Sequence, residues 1–320
     1  MLRYFLLSFL LLTITGCDRN SEPSIRVGHI SWPGYELLSL AHSRKLYKNI
    51  NVEIVRPSNN TEILLAFKHN VIDVAAVTLN HALELQSDSE ESISIIAVLD
   101  ISHGADTIIA HDSIKSIADL KGKRLGMEPS LLGAYFTSRA IDSSPNISLS
   151  QIHILPLSID SHMDHFLNNN VDAIVTYEPV KSKILLKKGH VLFDSSQIQN
   201  EIIDVLIVKT SFSENNIQTL TELLNGYFKA LALAIKQPVS TFIEMAEFEK
   251  IEVNDYKKAF SGIHIPDREE NIKFLGDANS EILTAKNKLQ TFMADNHLIK
   301  NDKKPALNFT SKFLLNSSRK

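Results

Sequence analysis

From residue 25 onward the chain alternates short, β-like apolar runs with longer helical ones, and it does so in two successive series. This alternation selects an α/β architecture, because a strand–helix–strand unit folds back as a right-handed crossover onto a largely parallel sheet. In the first series, residues 25–30, 52–55, 71–77 and 93–99 read as strands, and 35–44, 61–68 and 80–85 as helices. A turn at Asp119-Leu120-Lys121-Gly122 reopens the pattern. Strands follow at 124–127, 152–157, 171–176 and 202–208, with helices at 133–141 and 162–167, and beyond Glu214 the chain is helical to about Asn296. Two α/β units account for this order, each a mainly parallel sheet flanked by helices, with the second inserted into the first. Residues 25–106 and 207–320 would form one lobe and 107–206 the other. The chain would pass between them near 107–110 and return near 205–209, making a hinge with a ligand cleft between the lobes. The competing solution is one doubly wound domain with a helical tail.

The first residues carry a different signal. Met1-Leu2-Arg3 is a positive start, residues 4–12 are apolar apart from Ser8, and Ile14-Thr15-Gly16-Cys17 follows. The stretch is too short to span a bilayer and has the layout of a secretory signal. Its end resembles a lipobox, so residues 1–16 are expected to be a signal peptide, Cys17 the lipidated residue, and 17–24 a flexible tether. The alternative is an ordinary signal peptide with an incidental cysteine. Asp18 resembles an inner-membrane retention signal, giving an expected location in the periplasm, anchored to the inner membrane. With one cysteine in the chain, an internal disulfide is excluded.

Composition narrows the function. Thirty-three basic against thirty-seven acidic residues give a formal charge of −4 with no basic run, which argues against nucleic acid. No Gly-x-Ser-x-Gly, His-Glu-x-x-His, phosphate loop or cysteine pair is present, so binding is expected in place of catalysis, with no cofactor. His162 and His165 are read as a solvated helix face without a third metal ligand. No metal site is expected.

In open α/β sheets ligands gather beyond the carboxyl ends of the strands. The turns expected there hold Trp32 and Tyr35, Ser58 and Thr61, Thr78 and Asn80, and Ser102 in one lobe, and Glu128, Ser130, Tyr177 and Glu178 in the other. Trp32, the only tryptophan, and Tyr35 offer flat faces for stacking. The hydroxyls of Ser58, Thr61 and Thr78 are equally suited to capping helices. Glu178 suits either a ligand amine or a helix cap, and Asp106 is read as bracing the hinge.

Trp32-Pro33-Gly34-Tyr35-Glu36, residues 67–73, Asp100-x-Ser102-x-Gly104-Ala105-Asp106, residues 119–123, Val171-Asp172-Ala173, Tyr177-Glu178-Pro179, Phe193-Asp194-Ser195-Ser196 and Asp204-Val205-Leu206 form an ordered set. The set resembles the periplasmic solute-binding proteins of the nitrate/taurine/aliphatic-sulfonate group, with their SsuA/THI5-like (NMT1) domain. Order and spacing hold from about residue 25 to 210. The resemblance implies a two-lobed type II periplasmic-binding fold and a monomer that delivers a small organic molecule to an ABC permease and ATPase. A sensory subunit for a membrane signalling protein would use the same module. Two surface turns depart from the family pattern, with Arg44-Lys45 and His69-Asn70 where glycine is usual. No basic residue is expected in the cleft after the first three strands, which disfavours a nitrate-like ligand. The cysteine-rich motif of the related pyrimidine synthases is absent.

Overall fold

The computed structural model describes residues 23–144, 146–276, 280–296 and 306–315. The expected signal peptide, Cys17 and Asp18 lie outside them. Among the described residues no helix is long and apolar enough to cross a membrane.

Two sheets organise the chain. The larger has the order β11-β4-β10-β3-β1-β2, with β12 also on β4. Its strands are β1 (Ser24–Gly28), β2 (Asn51–Val55), β3 (Val74–Thr78), β4 (Ile93–Ser102), β10 (Ile203–Lys209), β11 (Ile263–His264) and β12 (Asn308–Phe309). The smaller has the order β7-β6-β8-β5-β9, built from β5 (Asp106–Ala110), β6 (Arg124–Met127), β7 (His153–Pro156), β8 (Ala173–Tyr177) and β9 (His190–Asp194). This is the two-lobed α/β arrangement. The sheets are more mixed than alternation alone suggests, because β10 and β5 are each inserted antiparallel between two neighbours. These are the strands through which the chain enters one lobe and re-enters the other. The passages between sheets fall at residues 103–105 and 195–202, earlier than expected; residues 107–110 are paired strand and not hinge.

The same clamp recurs in both lobes. Arg26 in the middle of β1 gives its backbone N–H and guanidinium to Asp73, just before β3, with Nη2–Oδ1 at 2.6 Å. Arg124 at the start of β6 does the same to Asp172, just before β8, with Nη2–Oδ1 at 2.8 Å. The preceding helices, α2 (Asn60–Lys68) and α5 (Ile159–Leu167), carry matching buried Phe67 and Phe166, and each is followed by an asparagine at positive φ, Asn70 and Asn169. The lobes are thus two versions of one unit, and Thr78 and Tyr177 end equivalent strands. Lys45 and Asn70, in the turns where the family pattern has glycine, both have positive φ, so the backbone keeps the glycine-like conformation.

Burial follows the pattern that defined the elements. All ten residues of β4 are buried, as expected for a strand covered on both faces. The longest helix, α8 (Ile217–Lys236), buries Leu220, Leu223, Leu224, Tyr227, Ala230, Leu231 and Ala234, a stripe at helical spacing. One expectation is overturned. His162 on α5 is buried, hydrogen-bonded to Thr176 (3.2 Å) and to the Leu157 carbonyl (3.3 Å), and burial lowers its pKa to about 4. It is a neutral core histidine.

Candidate functional site

The turn after β1 is fixed before any ligand arrives. The Trp32 indole N–H donates to Asp100 Oδ2 at 2.9 Å, and the Tyr256 hydroxyl, from α10 (Val253–Ser261), donates to the Pro33 carbonyl at 2.8 Å. Gly34 is required because a Cβ there would overlap the Asp100 carboxylate, 1.9 Å from Oδ2. The turn therefore lies flat on the end of β4 and holds Trp32 at the border between lobes.

Across that border stands Tyr177. Its ring meets Trp32 edge-to-face with centroids 6.0 Å apart, and Tyr35 closes a third side, 6.4 Å from Trp32. Together with Ile30, Asn60, Thr78, Asp106, Leu132, Ile202 and Asp204 these rings enclose a cavity of about 30 Å³. That is room for about one or two waters.

The walls are acidic. Asp204 pairs in register with Thr78 on one side and Asp100 on the other, placing Thr78, Asp204 and Asp100 in a row across β3, β10 and β4. Burial pushes Asp204 well above the usual carboxylate range, with Asp100 and Asp106 adding repulsion. Burial likewise raises Asp100 to about 7 and Asp106 to about 6. Asp106 Oδ2, Asp204 Oδ1 and Asp100 Oδ1 are buried without a hydrogen-bond partner among the described residues. Glu128, raised by burial, accepts from the Tyr177 hydroxyl at 3.2 Å and faces Asn60 of the other lobe.

Of the residues singled out from sequence, Trp32, Tyr35, Thr78 and Tyr177 line the cavity, and Glu128 backs it through Tyr177. Thr78 also caps α3 (Leu79–Asp88), accepting from the His81 backbone N–H. The others have different positions. Ser58 and Thr61 are exposed and do not reach the cavity: α2 starts one residue earlier than expected, its cap is Asn59, and Asn60 faces inward instead. Ser130 caps α4 (Leu131–Asp142) through the Gly133 N–H. Glu178 is turned into α6 (Val180–Leu185), accepting from the Ser182 N–H (3.1 Å) and hydroxyl (3.0 Å). Ser102 and Ser195 share a 2.7 Å hydrogen bond that ties the two interlobe passages together. Asn80 is fully buried in α3, away from the cavity lining, with both side-chain polar atoms unpaired among the described residues.

Asp106 and Asp204, which sequence reasoning did not place at the ligand, stand on the cavity wall. Arg56 directly follows β2 but does not line the cavity. Its guanidinium is committed to Glu36 (Nη1–Oε2 2.7 Å, Nη2–Oε1 2.6 Å) in an outer groove, outside the cavity. Among the described residues no group of three or more His, Cys, Asp or Glu is placed to hold a metal ion.

Solved structures share this architecture. The chain resembles the periplasmic aliphatic sulphonate-binding protein SsuA of Escherichia coli (19% identity, 88% of this chain and 95% of that one, TM-score 0.74). It also resembles the alkanesulfonate-binding SsuA of Xanthomonas axonopodis pv. citri bound to MOPS (14%, 88% and 96%, 0.71). A third similar structure is the desulfurization enzyme DSZB (12%, 91% and 97%, 0.69). No curated protein matches the chain by sequence. The NMT1/THI5-like family model matches residues 41–241, well over half of the sequence. The chain belongs to the NMT1/THI5-like family.

Proposed function

We propose that this chain is an extracytoplasmic solute-binding protein that closes its two lobes on a small organic molecule and delivers it to an ABC permease and ATPase. The mature protein is held at the membrane by a diacylglycerol on Cys17, and the residues touching the solute are Trp32, Tyr35, Thr78 and Tyr177. The observation that carries this reading is the contact of Trp32 from one lobe with Tyr177 from the other across the cavity. A solute inserted there touches both lobes at once, so its binding energy favours the closed state. The similar sulfonate-binding structures support the same use of the fold.

The fold of DSZB favours one other reading, an enzyme. The cavity walls argue against it. Thr78 on the wall is bonded to His81 behind it (3.0 Å) as part of a helix cap, and burial lowers the pKa of His81 to about 4. Solute recovered unchanged from the purified protein supports binding; turnover supports the enzyme.

Trp32→Ala is expected to weaken binding of the solute by more than about ten-fold in calorimetry, the loss of a buried aromatic anchor. Melting temperature, measured in parallel, separates lost contact from lost fold. Unchanged affinity in the folded variant removes Trp32 from the site.

A further inference from the structure

An anion-binding cleft needs donors, and this one has few to offer. The Trp32 N–H is already given to Asp100. Three of the helix N-termini beside the cleft have an internal acceptor: Asn59 takes the Glu62 N–H, Thr78 the His81 N–H and Ser130 the Gly133 N–H. A further one, that of α1 (Glu36–Ser43), starts at Tyr35 without a side-chain cap. Lys181, the nearest ammonium, is spent on the Gly104 carbonyl at 2.6 Å and lies 3.9 Å from Glu178.

Acceptors are in excess. Asp106 and Asp204 are only 6% and 3% exposed, both stand on the cavity wall, and each keeps one oxygen with no partner among the described residues. A buried carboxylate oxygen without a donor is costly. Ser102 and Lys181 offset part of the burial of Asp106, and the Tyr35 hydroxyl part of that of Asp204, but the two unpaired oxygens themselves have no donor among the described residues. Three aromatic rings surround the same space, and ring faces attract cations. The combination is the reverse of what a sulfonate or nitrate requires.

Taking the chain as a solute-binding protein, we infer that its solute is a small organic cation, an amine or ammonium whose charged end meets Asp106 and Asp204 between the rings of Trp32, Tyr35 and Tyr177. An arriving cation favours the ionised forms of both carboxyls, whose proton affinity burial raises in the empty cleft. The ammonium then donates to the two unpaired oxygens, and the rings cover its apolar part. Specificity against sulfonates arises from repulsion as much as from fit.

Calorimetry on the purified mature protein at neutral pH, with size-matched pairs, tests this: methylammonium against methanesulfonate, and benzylammonium against phenylmethanesulfonate. The expected result is saturable binding of at least one cation and none of its paired anion. In Asp106→Asn and in Asp204→Asn, which keep side-chain shape, cation affinity falls roughly thirty-fold or more, the effect of removing one partner from a buried charge contact. Melting curves establish that the variants fold. If neither cation binds, or if cations bind both variants as well as the wild type, the inference is wrong. If an anion binds instead, the cation assignment falls while the solute-binding reading stands. If none of the four binds, both lose support.

Discussion

Replacing Arg56 by alanine is expected to cost about 3 kcal/mol of stability, the low end for breaking a buried ion pair. The side chain of Glu36 is fully buried and that of Arg56 is 32% exposed, so the variant strands the carboxylate and leaves the surface side open to water. Burial acts to raise the Glu36 pKa, but the Arg56 fork, with help from His29 and Glu249, brings it below the usual value. Glu249, held above the usual carboxylate range by burial and by Glu36, sits beside the pair and accepts from the Ser31 hydroxyl. Without the guanidinium, two buried carboxyls face each other with no cation. The melting temperature should fall by roughly 6–12 °C. Arg56→Lys restores charge but not the two-pronged geometry and should recover only part of the loss. Glu36→Gln combined with Arg56→Met should be milder than Arg56→Ala alone, because no charge is then left buried. Equal melting of Arg56→Ala and wild type would show that the pair contributes nothing.

The second large effect has the opposite sign. Asp106→Asn is expected to stabilise the solute-free protein above neutral pH. Burial raises the folded pKa of Asp106 to about 6 from an ordinary 3.8, partly offset by the Ser102 hydrogen bond and by Lys181, and reinforced by Glu178. Asp100 and Asp204, with the hydroxyls of Tyr35 and Tyr177, are the other titratable groups of the same cleft, and Glu128 lies behind Tyr177. A carboxyl with a raised folded pKa binds its proton more tightly when folded. Its contribution is therefore fully present below the unfolded pKa and is lost as pH rises through the folded one. The stability difference between variant and wild type should widen by about 3 kcal/mol between pH 4 and pH 7, about two pH units at 1.4 kcal/mol each. Taking the difference cancels groups that do not feel Asp106, including His81 and His162, whose lowered pKa values act in the other direction; Asp100 and Asp204, which Asp106 repels, ease in the variant as well. A difference independent of pH would mean that Asp106 titrates normally.

The alternation of apolar runs was enough to locate most strands and helices because burial on both faces of a sheet leaves an unmistakable trace, as in β4. It did not locate β5 or β9. Residues 107–110 are apolar enough to be strand, yet their position between two units suggested a hinge, and only pairing with β8 and β9 makes them part of a sheet. The candidate site divides along the same line. Trp32, Tyr35 and Tyr177 were legible because large aromatics in turns have few other uses. Asp204 was not, because it is one polar residue in an apolar run, and its role depends on β10 being inserted antiparallel between β3 and β4. Asp106 suffered from the same missing topology. Ser58 and Thr61 failed through a shift of one residue in the start of α2, which turns Thr61 outward and brings Asn60 in. His162 failed because a histidine on an amphipathic helix looks the same whether its face is wet or packed.

The central claim is that solute binds between the lobes against Trp32. That residue is the only tryptophan in the chain, so its emission reports on the cleft and nothing else. Titrating a solute that calorimetry has identified should shift or quench this emission with the same midpoint as the heat. Heat that saturates while the tryptophan emission stays constant would place the solute elsewhere and contradict the account.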